Sequence, residues 1–302
     1  MSATAEVDVR ALTVTAAEED RPRLCETFRT HGAVVVKGLF TAAEMSSFQA
    51  AYRGLVQARL RALGKVEAAA ETDLDVLYDR LAEADPNARF DMRGIARDHL
   101  AFYRYLAHPK VTGVVASLIG HDHLQINPDI NLFRIDSPDK DREGFEWHQD
   151  YPYNMMSQTA VTTWTPITPI DATMGYLRVV PGSHDKILPV VETPAITKKR
   201  YQQHNQLRID GIDAIAADLE KRAVEVSNIE LGDTLFIHSL ILHRSGQNRS
   251  NRHRFVMNAR FGDIEDPALT ARAWRVARVR DMYPFFDVHA ELARRNPPSD
   301  EC

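Results

Sequence analysis

Residues 147–150 read Trp147-His148-Gln149-Asp150, and the rest of the chain is organised around this stretch. In extended chain, residues two apart point to the same side, so His148 and Asp150 can each offer one donor atom to a single metal ion. This is the only His-x-Asp pattern in the sequence. So short a pattern also arises by chance, and its meaning depends on what surrounds it.

Short strands and turns surround this stretch. Apolar and polar residues alternate over 126–132, which predicts a strand with one apolar and one polar face. Composition predicts further strands at 158–167, 176–180, 223–226, 234–242 and 253–261, with turns at 171–175 and 181–184. The density of strands predicts a sheet protein folded as a double-stranded β-helix, the jelly-roll or cupin-like arrangement.

Helices are predicted before these strands. Thr15-Ala-Ala-Glu18 and Thr41-Ala-Ala-Glu44 both have the form of a capping box, and Gly32 is a candidate end for the first helix. A buried strand is expected from Ala33 to Phe40. Further helices are expected at about 98–107 and 109–120. We therefore expect one domain over 1–302: N-terminal helices at about 15–120, the jelly-roll core at about 122–262, and a helical tail at 263–302.

The third donor to a metal ion must come from a distant strand, and His238 and His243 compete for the position. Their separation is odd, so in one continuous strand they face opposite sides and only one can meet His148 and Asp150. Two histidines and one carboxylate form the facial triad of non-haem Fe(II) oxygenases, which leaves positions open on the metal. A three-ligand zinc hydrolase is the chemical competitor.

Arg254 bears on this choice. An oxygenase that uses a keto acid needs a fixed cation for the far carboxylate, and arginine offers a two-pronged fork. His253, Phe255, Met257, Ala259 and Phe261 form one face of the predicted strand, as expected for core packing. Arg254 then points into the mouth of the barrel. The alternative is a surface arginine on a half-wetted sheet.

Composition narrows the class of protein. The net charge of −5 argues against a nucleic-acid binder, and no apolar run approaches the ~20 residues of a membrane span. The N-terminus lacks the form of a signal peptide, and two cysteines suggest no disulfide framework. We expect a cytoplasmic protein, monomeric or homodimeric. The polar segment 189–221, with Lys198-Lys199-Arg200, is either a lid or a solvated insertion, and 296–302 is expected to be disordered.

Several motifs in order resemble the phytanoyl-CoA dioxygenase family, the Fe(II)- and 2-oxoglutarate-dependent group that includes ectoine hydroxylase. They are His148-Gln-Asp150, Trp164, Pro181-Gly-Ser-His184, His243-Arg-Ser-Gly246, Asn248-Arg-Ser250 and Arg254. The interval of 254 − 243 = 11 residues matches the family, and so does the interval between His238 and Arg249. The residues flanking His243 favour His243. The similarity covers roughly Gly32–Phe261.

The resemblance implies specific roles. His148, Asp150 and His243 match the iron ligands, and Arg254 and Ser245 match positions that hold 2-oxoglutarate. Asn131 and Trp164 match residues beside the co-substrate. Polar residues near the motif are candidates for substrate contact, namely Asn127, Asp129, Tyr151 and Tyr153. Met174-Gly175 departs from the family's Asn-Gly turn, and the carboxylate of Asp150 is unlike the small residue of halogenating members.

The implied activity is that of a dioxygenase using Fe(II), 2-oxoglutarate and O2. It would hydroxylate a small molecule, such as a natural product, an amino acid or a derivative, and release succinate and CO2. The same site could instead desaturate, epimerise or cyclise its substrate, and an acyl-CoA is a further substrate class. A non-catalytic jelly-roll binding module is the alternative from a different functional class.

Overall fold

The computed structural model describes residues 7–138, 146–192, 207–276, 285 and 288–294. Its helices are α1 (Arg21–His31), α2 (Ala42–Ala62), α3 (Leu74–Ala84), α4 (Ala88–Asp98), α5 (Leu100–Leu106), α6 (Pro109–Ile119), α7 (Tyr151–Asn154), α8 (Ile212–Arg222) and α9 (Pro267–Ala271). Its strands are β1 (Thr13–Thr15), β2 (Ala33–Lys37), β3 (Leu124–Ile126), β4 (Leu132–Asp136), β5 (Val161–Pro166), β6 (Leu177–Val179), β7 (Val190–Glu192), β8 (Leu207–Ile209), β9 (Val224–Glu225), β10 (Thr234–His238), β11 (His243–Ser245), β12 (Arg254–Asp263) and β13 (Ala293–Arg294).

Helix ends follow the local signals in most cases. Thr41 and Glu44 form the predicted capping box, in which each side chain bonds the other residue's backbone N–H. Gly32 ends α1 in the left-handed conformation, with φ 74°. The capping box predicted at Thr15 is wrong. Thr15 ends β1, its hydroxyl bonds Asp20, and α1 begins only at Arg21, because residues 13–15 pair in parallel with β2.

A seven-stranded sheet forms the larger wall of the core, in the order β1-β2-β10-β5-β12-β3, with β4 also paired to β12. Its outer face packs against the N-terminal helices. The apolar cluster between this face and the helices includes four residues of β12, as the alternation along the strand predicts: Phe255, Met257, Ala259 and Phe261. The intervening residues of β12 therefore face the inside of the molecule, and these include Arg254.

A smaller sheet, β11-β6-β9, closes the other side. Apolar residues of both sheets share one buried cluster, with Val35, Leu235 and Val256 from the larger sheet and Leu177 and Val179 from the smaller. Two facing sheets joined through a common core, with helices on the outer face, are the predicted jelly-roll architecture. The fold prediction is confirmed.

Two strand predictions were wrong. The run 234–242 is not one strand: it divides into β10 and the approach to β11 at a turn, where the Ile241 N–H donates to the His238 carbonyl. The run 126–132 is not one strand either: residues 127–131 form a turn between β3 and β4, in which Ile130 and Asn131 are both buried, while Ile126 is 38% exposed. A polar residue on the inner side indicates that the interior near β4 is built for a polar occupant rather than for apolar packing.

The segment after residue 189 is partly described. β7 and β8 pair as antiparallel strands, and α8 follows β8. The stretch 193–206, which holds the basic triplet, and the tail 296–302 lie outside the described residues, so the lid and the disordered tail stay predictions. So does the single-domain organisation. None of the described helices combines the length and apolar character of a membrane span.

Candidate metal centre

His148, Asp150 and His243 converge at one end of the core. His148 and His243 exchange backbone hydrogen bonds of 3.1 and 3.0 Å, which places their side chains next to each other. Asp150 follows at the start of α7 with a helical backbone, so the extended chain assumed from the sequence ends before it. The Asp150 Oδ1 atom lies 3.9 Å from His148 Nε2 and 4.0 Å from His243 Nε2. One donor atom from each residue lies within 4.8 Å of the others, and no other group of three such side chains among the described residues meets this criterion.

Both imidazoles are oriented by backbone carbonyls. His148 Nδ1 lies 2.7 Å from the Glu146 carbonyl, and His243 Nδ1 lies 3.0 Å from the Ile241 carbonyl. A carbonyl only accepts, so each Nδ1 carries the proton and each Nε2 keeps a lone pair free to bind a metal ion. Hydrogen bonds of this kind, from the other ring nitrogen to a carbonyl, orient metal-binding histidines.

Two side chains hold the Asp150 carboxylate. Arg260 reaches it with Nε 3.2 Å from Oδ2 and Nη2 3.2 Å from Oδ1, and the Thr162 hydroxyl donates to Oδ2 at 2.6 Å. Arg260 is fixed in turn because its Nη1 donates to the Ile130 carbonyl at 2.6 Å. The fork therefore sets the plane of the carboxylate before any ion arrives.

The protonation states suit a metal ion. Burial lowers the pKa of His148 to about 3, with His243 adding to the effect and Asp150 opposing it. Burial also lowers the pKa of His243. Burial alone would raise the pKa of Asp150, but Arg260 and the two histidines outweigh it and hold that pKa below its usual range. At neutral pH the site thus offers two neutral imidazoles and one carboxylate, as divalent metals require.

His238 lies away from this cluster. Its ring packs 4.9 Å from His184 and 5.9 Å from Phe28, and its Nδ1 accepts the Leu240 N–H. The opposite-face argument assumed one continuous strand, which is not present. The turn after β10 nevertheless separates the two histidines, and His243 is the one that joins Asp150.

Arg254 is buried with 1% exposure, and its fork faces Asp136. Nε and Nη2 donate to Asp136 Oδ2 at 3.0 and 2.7 Å, while Nη1 contacts the carbonyls of Met174, Gly175 and Gly246. Arg134 bonds the same carboxylate through Nε, at 2.7 and 2.8 Å. The Asp136 carboxylate thus lies between two guanidinium groups, those of Arg134 and Arg254.

The other residues expected beside the co-substrate are also internal. Ser245 lies two residues beyond His243 on β11, and the carbonyl of the next residue is 3.3 Å from Arg254 Nη1. Trp164, 2% exposed, stands in register with Asn258 across the sheet. Asn131 is fully buried, and its Oδ1 accepts the Arg260 N–H at 2.8 Å, so its side chain does not face solvent.

Five buried amide atoms have no hydrogen-bond partner within the described structure, namely Gln125 Oε1, Asn131 Nδ2, Asn154 Nδ2, Asn228 Oδ1 and Asn258 Oδ1, and those of Asn131 and Asn258 concern this region. Asn258 lies on the inner face of β12, between Arg254 and Arg260. A buried polar atom without a partner costs about 1–3 kcal/mol, so such atoms mark a place where a polar ligand is expected. The donor set and these amides together fit a metal ion with a polar organic ligand beside it.

The four predicted substrate residues differ in their burial and in their hydrogen-bond partners. Tyr153 presents its ring edge to His148 at 6.0 Å, and its hydroxyl donates to the Leu207 carbonyl. Asn127 is buried and accepts the Asp129 N–H, so it closes a turn, and Asp129 is half-buried. The Tyr151 hydroxyl is turned toward His289, 3.1 Å away, in a different cluster. Contact of these four residues with substrate stays a prediction.

Sequence reasoning missed the contact of Arg260 with Asp150, and it missed Arg134, Asp136 and Thr162 altogether. Arg260 carried a usable signal, because it lies on the same face of β12 as Arg254. Asp136 is directly opposite Arg254 in the β4–β12 pairing, and Thr162 is opposite Arg260 in the β5–β12 pairing. These neighbours depend on strand register, which a single sequence does not specify across distant segments.

The sequence profile of the phytanoyl-CoA dioxygenase family (PhyH) matches residues 28–256. Peroxisomal phytanoyl-CoA dioxygenase from Bos taurus is 25% identical over 244 residues, which cover 78% of this chain and 66% of that protein. A probable phytanoyl-CoA dioxygenase from Caenorhabditis elegans is 27% identical over 176 residues, 55% of this chain and 52% of that protein. The chain thus spans two thirds or less of the length of these two relatives.

Solved structures share the fold. The non-heme monooxygenase ThoJ in its apo form has a TM-score of 0.53 at 22% identity, covering 80% of this chain and 77% of that one. The epimerase SnoN, in complex with Fe3+, alpha ketoglutarate and nogalamycin RO, has a TM-score of 0.51 at 19% identity, covering 82% and 85%. EctD from S. alaskensis with bound Fe has a TM-score of 0.51 at 18% identity, covering 81% and 77%.

Proposed function

The chain belongs to the phytanoyl-CoA dioxygenase family, and on that premise we propose that it is a non-haem Fe(II)- and 2-oxoglutarate-dependent dioxygenase acting on a small molecule. The observation that carries the proposal is the convergence of His148, Asp150 and His243, with both Nε2 atoms 3.9–4.0 Å from one carboxylate oxygen. A two-histidine, one-carboxylate set with open positions is the arrangement that non-haem Fe(II) oxygenases use.

The same three residues would hold the iron. When bound there, Fe(II) supplies the dioxygen chemistry that no side chain can perform. The chain's own contribution is to fix the donors. Backbone carbonyls keep both Nδ1 atoms protonated, and Arg260 with Thr162 keeps the Asp150 carboxylate in place and ionised.

The co-substrate fits the polar interior beside the metal centre. 2-Oxoglutarate is a dianion with three polar groups. The paired guanidinium groups of Arg134 and Arg254 suit its far carboxylate. The partnerless Nδ2 of Asn131 can donate to one of its nearer oxygens, and Ser245 and Trp164 line the same interior. Arg254 acts here as part of a charged group rather than as a free two-pronged fork.

The substrate is a small molecule in this proposal, with Tyr153, Asp129 and Asn127 as contact candidates and Tyr151 behind them. Hydroxylation is the expected outcome, and identification of the product distinguishes it from desaturation, epimerisation or cyclisation. The cytoplasmic location and the monomeric or homodimeric state stay predictions.

The test is aerobic incubation of the full chain with Fe(II) and 2-oxoglutarate, with succinate measured against time. Wild type should form succinate, slowly alone and faster with a true substrate, and Asp150→Ala should form none. Wild type that takes up Fe(II) and 2-oxoglutarate but leaves the keto acid unconsumed with every substrate tried would favour a binding module. Hydrolysis that depends on Zn(II) would favour the hydrolase alternative.

A further inference from the structure

The outer face of the metal centre carries its own cluster of side chains. His148 and His243 are paired through their backbones, and neighbouring residues on a strand point to opposite sides. Trp147 and Arg244, each next to one of these histidines, therefore lie on the face turned away from Asp150. Arg244 is also in register with Arg178 on β6, which brings two cations side by side.

One carboxylate from α8 joins these residues. Glu220 Oε1 accepts the Trp147 Nε1–H at 3.0 Å and lies 2.8 Å from Arg244 Nη2. Glu220 Oε2 accepts from Arg178 Nη1. The Arg244 guanidinium also lies 5.2 Å from the centre of the Trp147 ring. Donors on β6, on β11 and in the segment just before His148 thus all bond the carboxylate of Glu220.

The electrostatics of this cluster depend on Glu220. Arg178 and Arg244 are both partly exposed, and isolated surface ion pairs stabilise a fold by only about 0–1 kcal/mol. Without Glu220, however, the two guanidinium groups lose the carboxylate they share, and the Trp147 N–H loses its acceptor. Their repulsion would act directly on the residues next to His148 and His243.

The docking of α8 does not rest on Glu220 alone. Ile212 and Leu219 are buried in one apolar cluster with Trp147, Val180 and Leu242. Because this packing remains when the charge of Glu220 is removed, a Glu220 variant is expected to keep its fold. The helix and the metal-site strands are therefore joined by two separable contacts, one apolar and one charged.

We propose that Glu220 is a positioning residue for the metal centre, fixing from the outer face the two segments whose inner face presents His148 and His243. The inference rests on the proposed function, since it assumes that these histidines bind a metal. It also gives α8 a role, because the contacts of Glu220 connect this helix to the residues next to the metal ligands.

The experiment measures the dissociation constant for Fe(II) under anaerobic conditions, together with the melting temperature of the metal-free protein. The variants are Glu220→Gln, Glu220→Ala and Trp147→Phe. Asp218→Asn is the matched control, because Asp218 is on the same helix and pairs only with exposed Arg222 within the described contacts. Loss of a side chain that hydrogen-bonds a metal ligand directly costs about 10–100-fold in metal affinity, and Glu220 acts one residue further from the metal, so its loss should cost less. We expect about three- to tenfold weaker binding in both Glu220 variants, a smaller loss in Trp147→Phe, and none in Asp218→Asn.

A structural role alone predicts a different pattern. If Glu220→Gln and Glu220→Ala lower the melting temperature while Fe(II) affinity stays at the wild-type value, Glu220 only anchors α8 and the proposal is wrong. If wild type itself takes up no Fe(II), the proposed function fails at its first step, before any variant is compared.

Discussion

At the scale of single residues, the buried group of Arg134, Asp136 and Arg254 is the most unusual feature of the interior. Burial penalises each of these charges, yet Asp136 stays ionised, its pKa held below its usual range against burial by the two arginines. Buried ions are tolerated when they are paired. Here two guanidinium groups flank one carboxylate, an arrangement that suits an anionic ligand beside them.

Arg254 is expected to control 2-oxoglutarate binding. Removing one partner of a buried charged contact costs about 3–5 kcal/mol, so Arg254→Ala should bind 2-oxoglutarate at least about a hundredfold more weakly. Arg254→Lys should recover only part, because an ammonium group cannot replace the planar fork. The measurement is the 2-oxoglutarate dissociation constant with Fe(II) bound, under anaerobic conditions.

Iron binding serves as the control for these variants, since Arg254 donates to Asp136 and to carbonyls and contacts no metal-ligand candidate. Both variants should keep wild-type Fe(II) affinity. An alanine variant that still binds 2-oxoglutarate within about threefold of wild type would assign the anchor to another cation, with Arg134 and Arg260 next on the inner face.

At the scale of elements, the turn between β10 and β11 brings His238 against α1 and the turn at residues 181–184. His238 Nδ1 accepts the Leu240 N–H, so protonation at that atom would break a backbone contact. Burial, with a contribution from His184, lowers the pKa of His238 to about 3 from 6.5. The unfolded chain therefore binds a proton at a pH where the folded chain does not.

The sign of the pH effect follows from this difference. Stability falls as pH drops below 6.5 and continues to fall toward about 3, because protons favour the unfolded state in that range. At pH 5 the proton uptake of His238 on unfolding lowers the free energy of unfolding by about 1–2 kcal/mol relative to neutral pH. His238→Gln should lose less stability than wild type between pH 7 and pH 5 in denaturant titrations of the metal-free protein. Equal losses in the two proteins would contradict the assignment.

The sequence predicted elements well where the signal was local. Thr41 with Glu44 and Pro109 with Gly120 fixed helix ends through contacts within a few residues. It failed where distant pairing decided, as at Thr15, which joins a parallel strand pair, and at Asn131, which is buried in the turn before β4. The same limit applied to the candidate site. Its ligand candidates stand in recognisable motifs, whereas Asp136 and Glu220 come close to it only because distant segments pair and pack in the folded chain.

At the scale of the whole molecule, the metal donors belong to distant parts of the chain and meet only in the folded state. A ligand that binds only the folded state stabilises it by mass action. Saturating Fe(II) under anaerobic conditions should therefore raise the melting temperature of wild type by roughly 5 °C or more.

Two histidine variants make this prediction specific. His243→Ala should lose the Fe(II)-induced rise, because it removes one of the three donors, and His238→Ala should keep it although its metal-free form is less stable. The reverse pattern would assign the third ligand to His238.

The carbonyl contacts of Arg254 have a consequence for which residues such chains retain during evolution. Gly175 and Gly246 are packed so closely that a methyl group on either would collide with the backbone of the other segment, and Arg254 Nη1 reaches the carbonyls of both. The arginine thus fastens three segments together whether or not a co-substrate is present. A descendant that lost catalysis would still be selected to keep it for folding, whereas selection on the imidazole of His148 follows from its place in the metal centre. Among distant descendants, retention of the arginine would report the architecture, and retention of the histidine would report the chemistry.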